Sequence, residues 1–129
     1  MDTQGRIGML RVALVLVGLA CFSLYPLMIV WPSGWAWHVG HSDYAWMIIG
    51  LYATLGVFLV RASVDPYQHL SLIWFTVWSS LVHAAIMAIQ AIQQPGQRGH
   101  LWGDVPGLVL AALVLAALTP RRKDGRPAS

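Results

Sequence analysis

The chain has 129 residues, of which 57% are hydrophobic and 10% are charged, and its formal net charge is +3. Soluble domains carry roughly 25% charged residues, so this composition favours one integral membrane domain, 1–129. The basic charge comes mostly from a short tail and no nucleic-acid motif is present, so we expect no nucleic-acid partner. The single cysteine, Cys21, excludes an intrachain disulfide framework.

The first apolar run predicts a transmembrane helix over about 7–30. Arg6 and Arg11 before an apolar stretch are also typical of a signal peptide, but the apolar character continues to Val30, which favours a retained helix. Pro26 lacks a backbone donor, so we expect it to kink or stop this helix near its end. The next segment, 31–43, has three tryptophans within seven residues, which is typical of a membrane interface.

The second run predicts a helix over about 44–60, preceded by Ser42 and Asp43, which are both good N-caps. Gly50 and Gly56 lie on a face of small residues, and we expect such faces to pack together because membrane helices associate through close backbone approach. The last run predicts a helix over about 101–119. The polar tail 120–129 is expected to be disordered.

The third run predicts a helix over about 70–92 and carries a stripe of polar side chains and a methionine. The stripe residues recur at spacings of three and four, so they share one helix face. Unpaired polar groups in hydrocarbon are costly, so this face should point into the bundle. Its members are Ser79, Ser80, His83, Met87 and Gln90.

His83 has two interpretations. In the functional one it binds a metal or haem, or donates a hydrogen bond to a quinone, with Met87 as a second soft ligand. In the structural one it stays neutral and hydrogen-bonds to Ser, Thr, Tyr52 or a backbone carbonyl, which fixes the helix register. One histidine leaves a ligand set short, so the structural interpretation is favoured.

A second group of chemically interesting residues lies in the two loops that a four-helix topology brings to one side. Three histidines and an aspartate there predict a candidate zinc or copper site formed by His38, His41, His100 and Asp104. The alternative is that they are solvated interfacial residues and helix caps. That alternative is favoured, because short motifs are weak evidence.

The basic residues predict the orientation of the helices in the membrane. One side of the four-helix topology holds Arg6, Arg11, Arg61, Arg121, Arg122, Lys123 and Arg126, and the other holds Arg98. The positive-inside rule then places both termini in the cytoplasm.

The segment DPYQHLSLIWFTVWSSLVHAAIMAIQA, followed by GHLWGDVPGL, resembles the central block of an uncharacterised family of short bacterial four-helix integral membrane proteins. The resemblance extends from Asp65 to Leu108. It implies the four-helix architecture and a bacterial cell membrane, and the family has no assigned activity. It draws attention to the polar residues inside the block, which are Asp65, His69, Ser79, Ser80, His83, Gln90, His100 and Asp104.

These observations predict an all-α, four-helix transmembrane bundle that associates with itself or with a partner membrane subunit. We expect a structural or accessory subunit organised around the stripe at His83. The chain carries no Ser or Cys nucleophile signature, which favours a non-enzymatic role. One alternative is a redox protein that binds a metal, haem or quinone at His83 or at the outer histidines, and another is an oligomeric small-molecule permease.

Overall fold

The computed structural model describes residues 2–37 and 42–121, which form helices joined by turns and contain no β-strand. Four stretches of these residues are long and apolar enough to cross a membrane. They are Thr3–Phe22, Asp43–Ala62, Pro66–Gln93 and Pro95–Leu118. The predicted all-helical class with four candidate spanning helices is confirmed for this part of the chain. Of the predicted disordered tail, 120–129, the residues 122–129 lie outside the described part of the chain.

The predicted first helix is divided into two helices, α1 (Thr3–Phe22) and α2 (Leu24–Val30). Asp2 caps the start of α1, where its carboxylate accepts a hydrogen bond of 3.0 Å from the Gly5 N–H. The break falls at Ser23, three residues before Pro26. A proline ring clashes with the carbonyl four residues earlier, which here is that of Phe22, so the strain appears upstream of Pro26 itself.

The next helices are α3 (Pro32–Trp35), α4 (Asp43–Ala62) and α5 (Leu70–Gln93). As predicted, Ser42 caps α4, where its hydroxyl accepts a hydrogen bond of 3.3 Å from the Ala45 N–H. A 3-10 turn, Pro66–His69, leads directly into α5. The proline of the Asp-Pro pair therefore begins a turn, since proline suits the first position of a helical segment.

The last helix, α6 (Asp104–Leu118), has 15 residues and is shorter than the prediction of 101–119. Its length of about 22 Å would not cross a bilayer alone. A preceding 3-10 segment, Pro95–Leu101, extends the apolar stretch to 24 residues. The helix begins after Gly103, whose backbone lies directly against the backbone of Gly34, so that a side chain at this position has no room.

The four long helices pack as two pairs. α4 packs along α1, α5 packs along α6, and the pairs meet mainly where α1 contacts α6. The first pair crosses at two glycines: a Cβ added to Gly56 would lie 2.7 Å from the Gly18 carbonyl oxygen, and one added to Gly18 would lie 2.9 Å from that of Gly56. This is the close backbone approach expected for Gly56, whereas a Cβ on Gly50 would meet nothing within 4 Å.

Both described ends of the chain lie at one end of the bundle, which we call the terminal end. There the Arg6 guanidinium donates hydrogen bonds of 3.1–3.2 Å to the carbonyl oxygens of Ala117, Leu118 and Thr119. The carbonyls of Ala117 and Leu118 belong to the last turn of α6 and that of Thr119 to its C-cap. Carbonyls at this end of a helix have no partner within it, so Arg6 satisfies them. We call the opposite end, which holds α3 and the segment Pro95–Leu101, the loop end.

The two ends of the bundle are packed differently. The terminal end is filled by buried apolar side chains from all four long helices, among them Leu10, Leu14, Leu59, Ile73 and Leu115, which are fully buried. Toward the loop end, the two helix pairs separate and leave a partly open cavity between them. The apolar core therefore fixes the helices at one end and leaves space between them at the other.

Candidate functional site

The space between the helix pairs is a cavity of about 780 Å³, which we call the bundle cavity. Every helix from α1 to α6 contributes to its wall. Most of the lining is apolar, and a volume of this size accommodates a drug-sized or lipid-like molecule. An apolar cavity of this kind with a few polar groups in its wall is the usual form of a small-molecule site.

Aromatic rings make up a large part of the wall. They are Tyr25, Trp35, Trp37, Tyr44, Trp46 and Tyr52. The rings of Tyr25, on α2, and Trp46, on α4, lie 5.3 Å apart between centroids, so α2 and α4 meet through aromatic contact. Such rings provide a rigid, polarisable surface for a ligand at a low cost in conformational entropy.

One polar pair joins α4 and α5 across the cavity wall. The Tyr52 hydroxyl and His83 Nδ1 form a hydrogen bond of 2.6 Å, in which the donor depends on the imidazole tautomer. Their rings are 5.9 Å apart between centroids. Because α4 and α5 belong to different helix pairs, this bond connects the two halves of the bundle beside the cavity.

A second polar group lies at the loop end and consists of Trp37, His100 and Asp104. Asp104 Oδ2 accepts a hydrogen bond of 3.0 Å from Trp37 Nε1 and lies 2.9 Å from His100 Nδ1. The indole of Trp37 stacks on the imidazole of His100, with centroids 3.9 Å apart and planes inclined by 19°. Gln97 also donates to the Trp37 carbonyl oxygen over 3.3 Å, which holds the segment after α3 against the segment before α6.

This second group leaves buried polar atoms without partners. Asp104 is 5% exposed and His100 is fully buried. In the described part of the chain, Asp104 Oδ1, His100 Nε2 and the indole Nε1 of Trp35 have no hydrogen-bond partner. Asp104 and Trp35 both line the cavity. Buried polar atoms are nearly always paired in folded proteins, so the residues beside the cavity carry one acceptor and one donor that still need partners.

The structure separates the predicted stripe of α5 into two sets. Ser80, His83 and Met87 line the bundle cavity. Ser79 instead donates a hydrogen bond of 3.3 Å to the Thr76 carbonyl oxygen of its own helix. Gln90 is exposed, and neither it nor Ser79 belongs to the cavity wall.

The predicted outer cluster is described only in part. The structure brings His100 and Asp104 together through a hydrogen bond between residues one helical turn apart. His38 and His41 lie outside the described residues. Among the described residues, no group of three or more His, Cys, Asp or Glu side chains is arranged to hold a metal ion.

Sequence reasoning missed Trp37 as the partner of Asp104 and the aromatic character of the cavity wall. From the sequence, the tryptophans of this segment are typical only of interfacial anchors. A signal was nevertheless present, because the segment with Trp35 and Trp37 and the segment with His100 and Asp104 were expected on the same side. Loops on one side can exchange hydrogen bonds between an indole donor and a carboxylate acceptor.

A family of unknown function, DUF6632, matches residues 5–126. The chain belongs to the DUF6632 family. The predicted resemblance to an uncharacterised family is confirmed, and the match to DUF6632 is longer than the block from Asp65 to Leu108. Both polar groups of the site lie within the matched range. No curated protein and no solved structure matches this DUF6632 chain.

Proposed function

We propose that this protein is a small multi-pass membrane protein that binds an amphipathic, lipid-soluble molecule in the bundle cavity. The observation that carries the proposal is the combination of a volume of about 780 Å³ with an apolar, aromatic wall and a few polar groups. The apolar part of the ligand would lie against the rings. Its polar head would pair with the unmet acceptor on Asp104 and the unmet donor on Trp35.

The proposed location is a bacterial cell membrane with both termini in the cytoplasm. The support is the charge distribution, together with the hydrogen bonds that place the start of α1 and the end of α6 at one end of the bundle. Thr3→Cys and Gln93→Cys, each in a Cys21→Ser background, test this orientation. A membrane-impermeant thiol reagent should label Gln93→Cys in intact cells and Thr3→Cys only after lysis, and the reverse pattern would refute it.

Native mass spectrometry of the protein, purified gently from its own membrane, tests the binding proposal. We expect a bound small-molecule mass in the wild type. Ala111 lines the cavity, so the Ala111→Phe variant should fill the space and lose that mass. Ala85→Phe is the matched control, because Ala85 is an exposed residue of α5 outside the cavity wall.

Two results would contradict the binding proposal. One is a wild-type spectrum of protein alone. The other is a bound mass that survives Ala111→Phe, because that molecule must occupy another surface. Thermal unfolding of Ala111→Phe and Ala85→Phe in detergent checks that both variants are folded before their bound masses are compared.

The Tyr52–His83 hydrogen bond supports a second candidate, a structural or accessory subunit. In this role the bond fixes the arrangement of the two helix pairs, and the protein associates with itself or with a partner membrane subunit. Polar side chains bind transmembrane helices together in this way, at about 0.6–2 kcal/mol for each hydrogen bond.

Variants of His83 and Ala111 separate the two candidates. An accessory subunit keeps its partner and its stability in His83→Gln, because glutamine also hydrogen-bonds to Tyr52, and loses both in His83→Ala. A ligand-binding protein keeps its bound molecule in His83→Gln and loses it in Ala111→Phe, which fills the cavity. Co-purification and native mass spectrometry of the same sample therefore separate the two roles.

A further inference from the structure

We infer that the molecule held in the bundle cavity is an organic cation, with its positive charge beside Asp104 and its apolar groups against the aromatic wall. This inference rests on the proposed binding function and adds the chemical class of the ligand. Three features of the cavity carry it: a carboxyl group with one oxygen that has no donor among the described residues, a neighbouring histidine whose second nitrogen has no partner among them either, and a wall of aromatic faces.

The first feature is the half-paired carboxyl group of Asp104. Its two side-chain donors, Trp37 Nε1 and His100 Nδ1, point to the same oxygen, Oδ2. The other oxygen, Oδ1, is buried and has no donor among the described residues. Paired charges and hydrogen-bonded carboxylates are the rule in protein interiors, so this arrangement fits a carboxylate whose remaining partner is a ligand.

The second feature is the hydrogen-bonding state of His100. Because Oδ2 of an ionised Asp104 can only accept, Nδ1 of His100 carries the hydrogen. Nε2 of the same ring is buried without a partner, so a second proton there would be a buried donor with no acceptor. His100 therefore orients Asp104 through Nδ1, and no described residue offers an acceptor for a proton on Nε2.

The third feature is the composition of the wall around this charge. Among the described residues that line the cavity, none is a lysine or an arginine, so no fixed cation competes for Asp104. Trp35 and Trp37 lie in the same wall as the carboxyl group. The faces of indole rings attract cations, most strongly where water is excluded. A neutral molecule would gain apolar contact here but would leave the negative charge of an ionised Asp104 without a cation.

Binding of tetraphenylphosphonium, a lipophilic cation, to the purified full-length protein tests this assignment. Triphenylphosphine oxide is the neutral comparison, since it has similar aromatic groups. Quenching of tryptophan fluorescence reports the affinity, because three tryptophans line the cavity. We expect the wild type to bind the cation at least about tenfold more tightly than the neutral compound.

Asp104→Asn isolates the charge. An asparagine carbonyl can still accept from Trp37 and His100, so the fold is retained while the negative charge is lost. We expect this variant to lose at least about tenfold in affinity for the cation and to bind the neutral compound as before. Ala111→Phe should weaken the binding of both compounds, and Ala85→Phe neither.

Several outcomes would overturn the cation assignment. One is that the wild type binds triphenylphosphine oxide as tightly as tetraphenylphosphonium, or more tightly. If Ala111→Phe then no longer binds triphenylphosphine oxide, the proposed binding function still stands. Equal weakening of both compounds by Asp104→Asn would mean that Asp104 only supports the structure. Failure of both compounds to bind would also overturn the cation assignment. The proposed binding function is tested separately, by native mass spectrometry of the purified wild type.

Discussion

The crossing of α1 and α4 at Gly18 and Gly56 gives a sharp prediction about stability. In Gly56→Ala the new methyl group would lie 2.7 Å from the Gly18 carbonyl oxygen, 3.1 Å from Cys21 Cβ and 3.2 Å from the Phe22 ring. Ordinary contacts begin at 3.4 Å, and the nearest of these atoms belongs to a helix backbone that cannot rotate away. The two helices must therefore move apart along their packed length.

Two opposing effects set the size of the change. Overpacking of this kind costs about 1–3 kcal/mol, whereas alanine is favoured over glycine inside a helix by about 1 kcal/mol. We therefore expect Gly56→Ala to lower the free energy of unfolding by up to about 2 kcal/mol, and to be less stable than a variant with the same propensity gain and no overpacking by about 1–3 kcal/mol. Gly50→Ala is the matched control on the same helix. A Cβ at Gly50 meets nothing within 4 Å, so this variant should be unchanged or slightly more stable.

Unfolding in mixed micelles with increasing sodium dodecyl sulfate, followed by circular dichroism, measures both free energies. The difference in free energy of unfolding between Gly56→Ala and Gly50→Ala isolates the overpacking, because both variants gain the same helix propensity from alanine. Equal stabilities for Gly56→Ala and Gly50→Ala would refute the tight crossing of α1 and α4.

Two further predictions concern the two ends of the bundle. Arg6→Gln removes a charged donor from the last carbonyls of α6 and should lower the free energy of unfolding by about 1–3 kcal/mol in the same assay, whereas the exposed Arg11→Gln should have no effect. Gly103→Ala places a methyl group against the Gly34 backbone and should lower the thermal unfolding temperature, whereas Gly96→Ala, with open space around it, should not. An Arg6→Gln protein as stable as Arg11→Gln, or a Gly103→Ala protein that melts with Gly96→Ala, would contradict the respective contact.

The spanning-length helices could be predicted because length and apolar character are local properties of a sequence. The break in the first helix was placed near Pro26 but lies at Ser23, since a proline acts on the turn before it. The stripe on α5 was partly informative. His83 and Ser80 lie in the cavity wall and Ser79 does not, because consecutive residues of a helix point about 100° apart and a face defined by spacings of three and four is broader than a cavity wall.

The cavity itself could not be predicted from the sequence. It depends on which helices pair, and small-residue faces occur on several of them. The Trp37–Asp104 hydrogen bond joins residues 67 positions apart, so no local pattern signals it. His100 and Asp104 were predicted as possible metal ligands because of their chemistry, and the same chemistry makes them hydrogen-bond partners of each other.

The pairing of the helices also has a consequence for how the protein is made. α1 and α4 are both synthesised before α5 begins, and α5 and α6 follow as the second pair. In the membrane location proposed above, each pair can therefore insert as a unit with its own contacts, in keeping with a process in which helices insert first and associate afterwards. Arg6 is made early, but its carbonyl partners lie 111 to 113 residues later. Arg6 therefore has none of these partners until α6 has been synthesised. Its hydrogen bonds form only when α6 packs into the bundle.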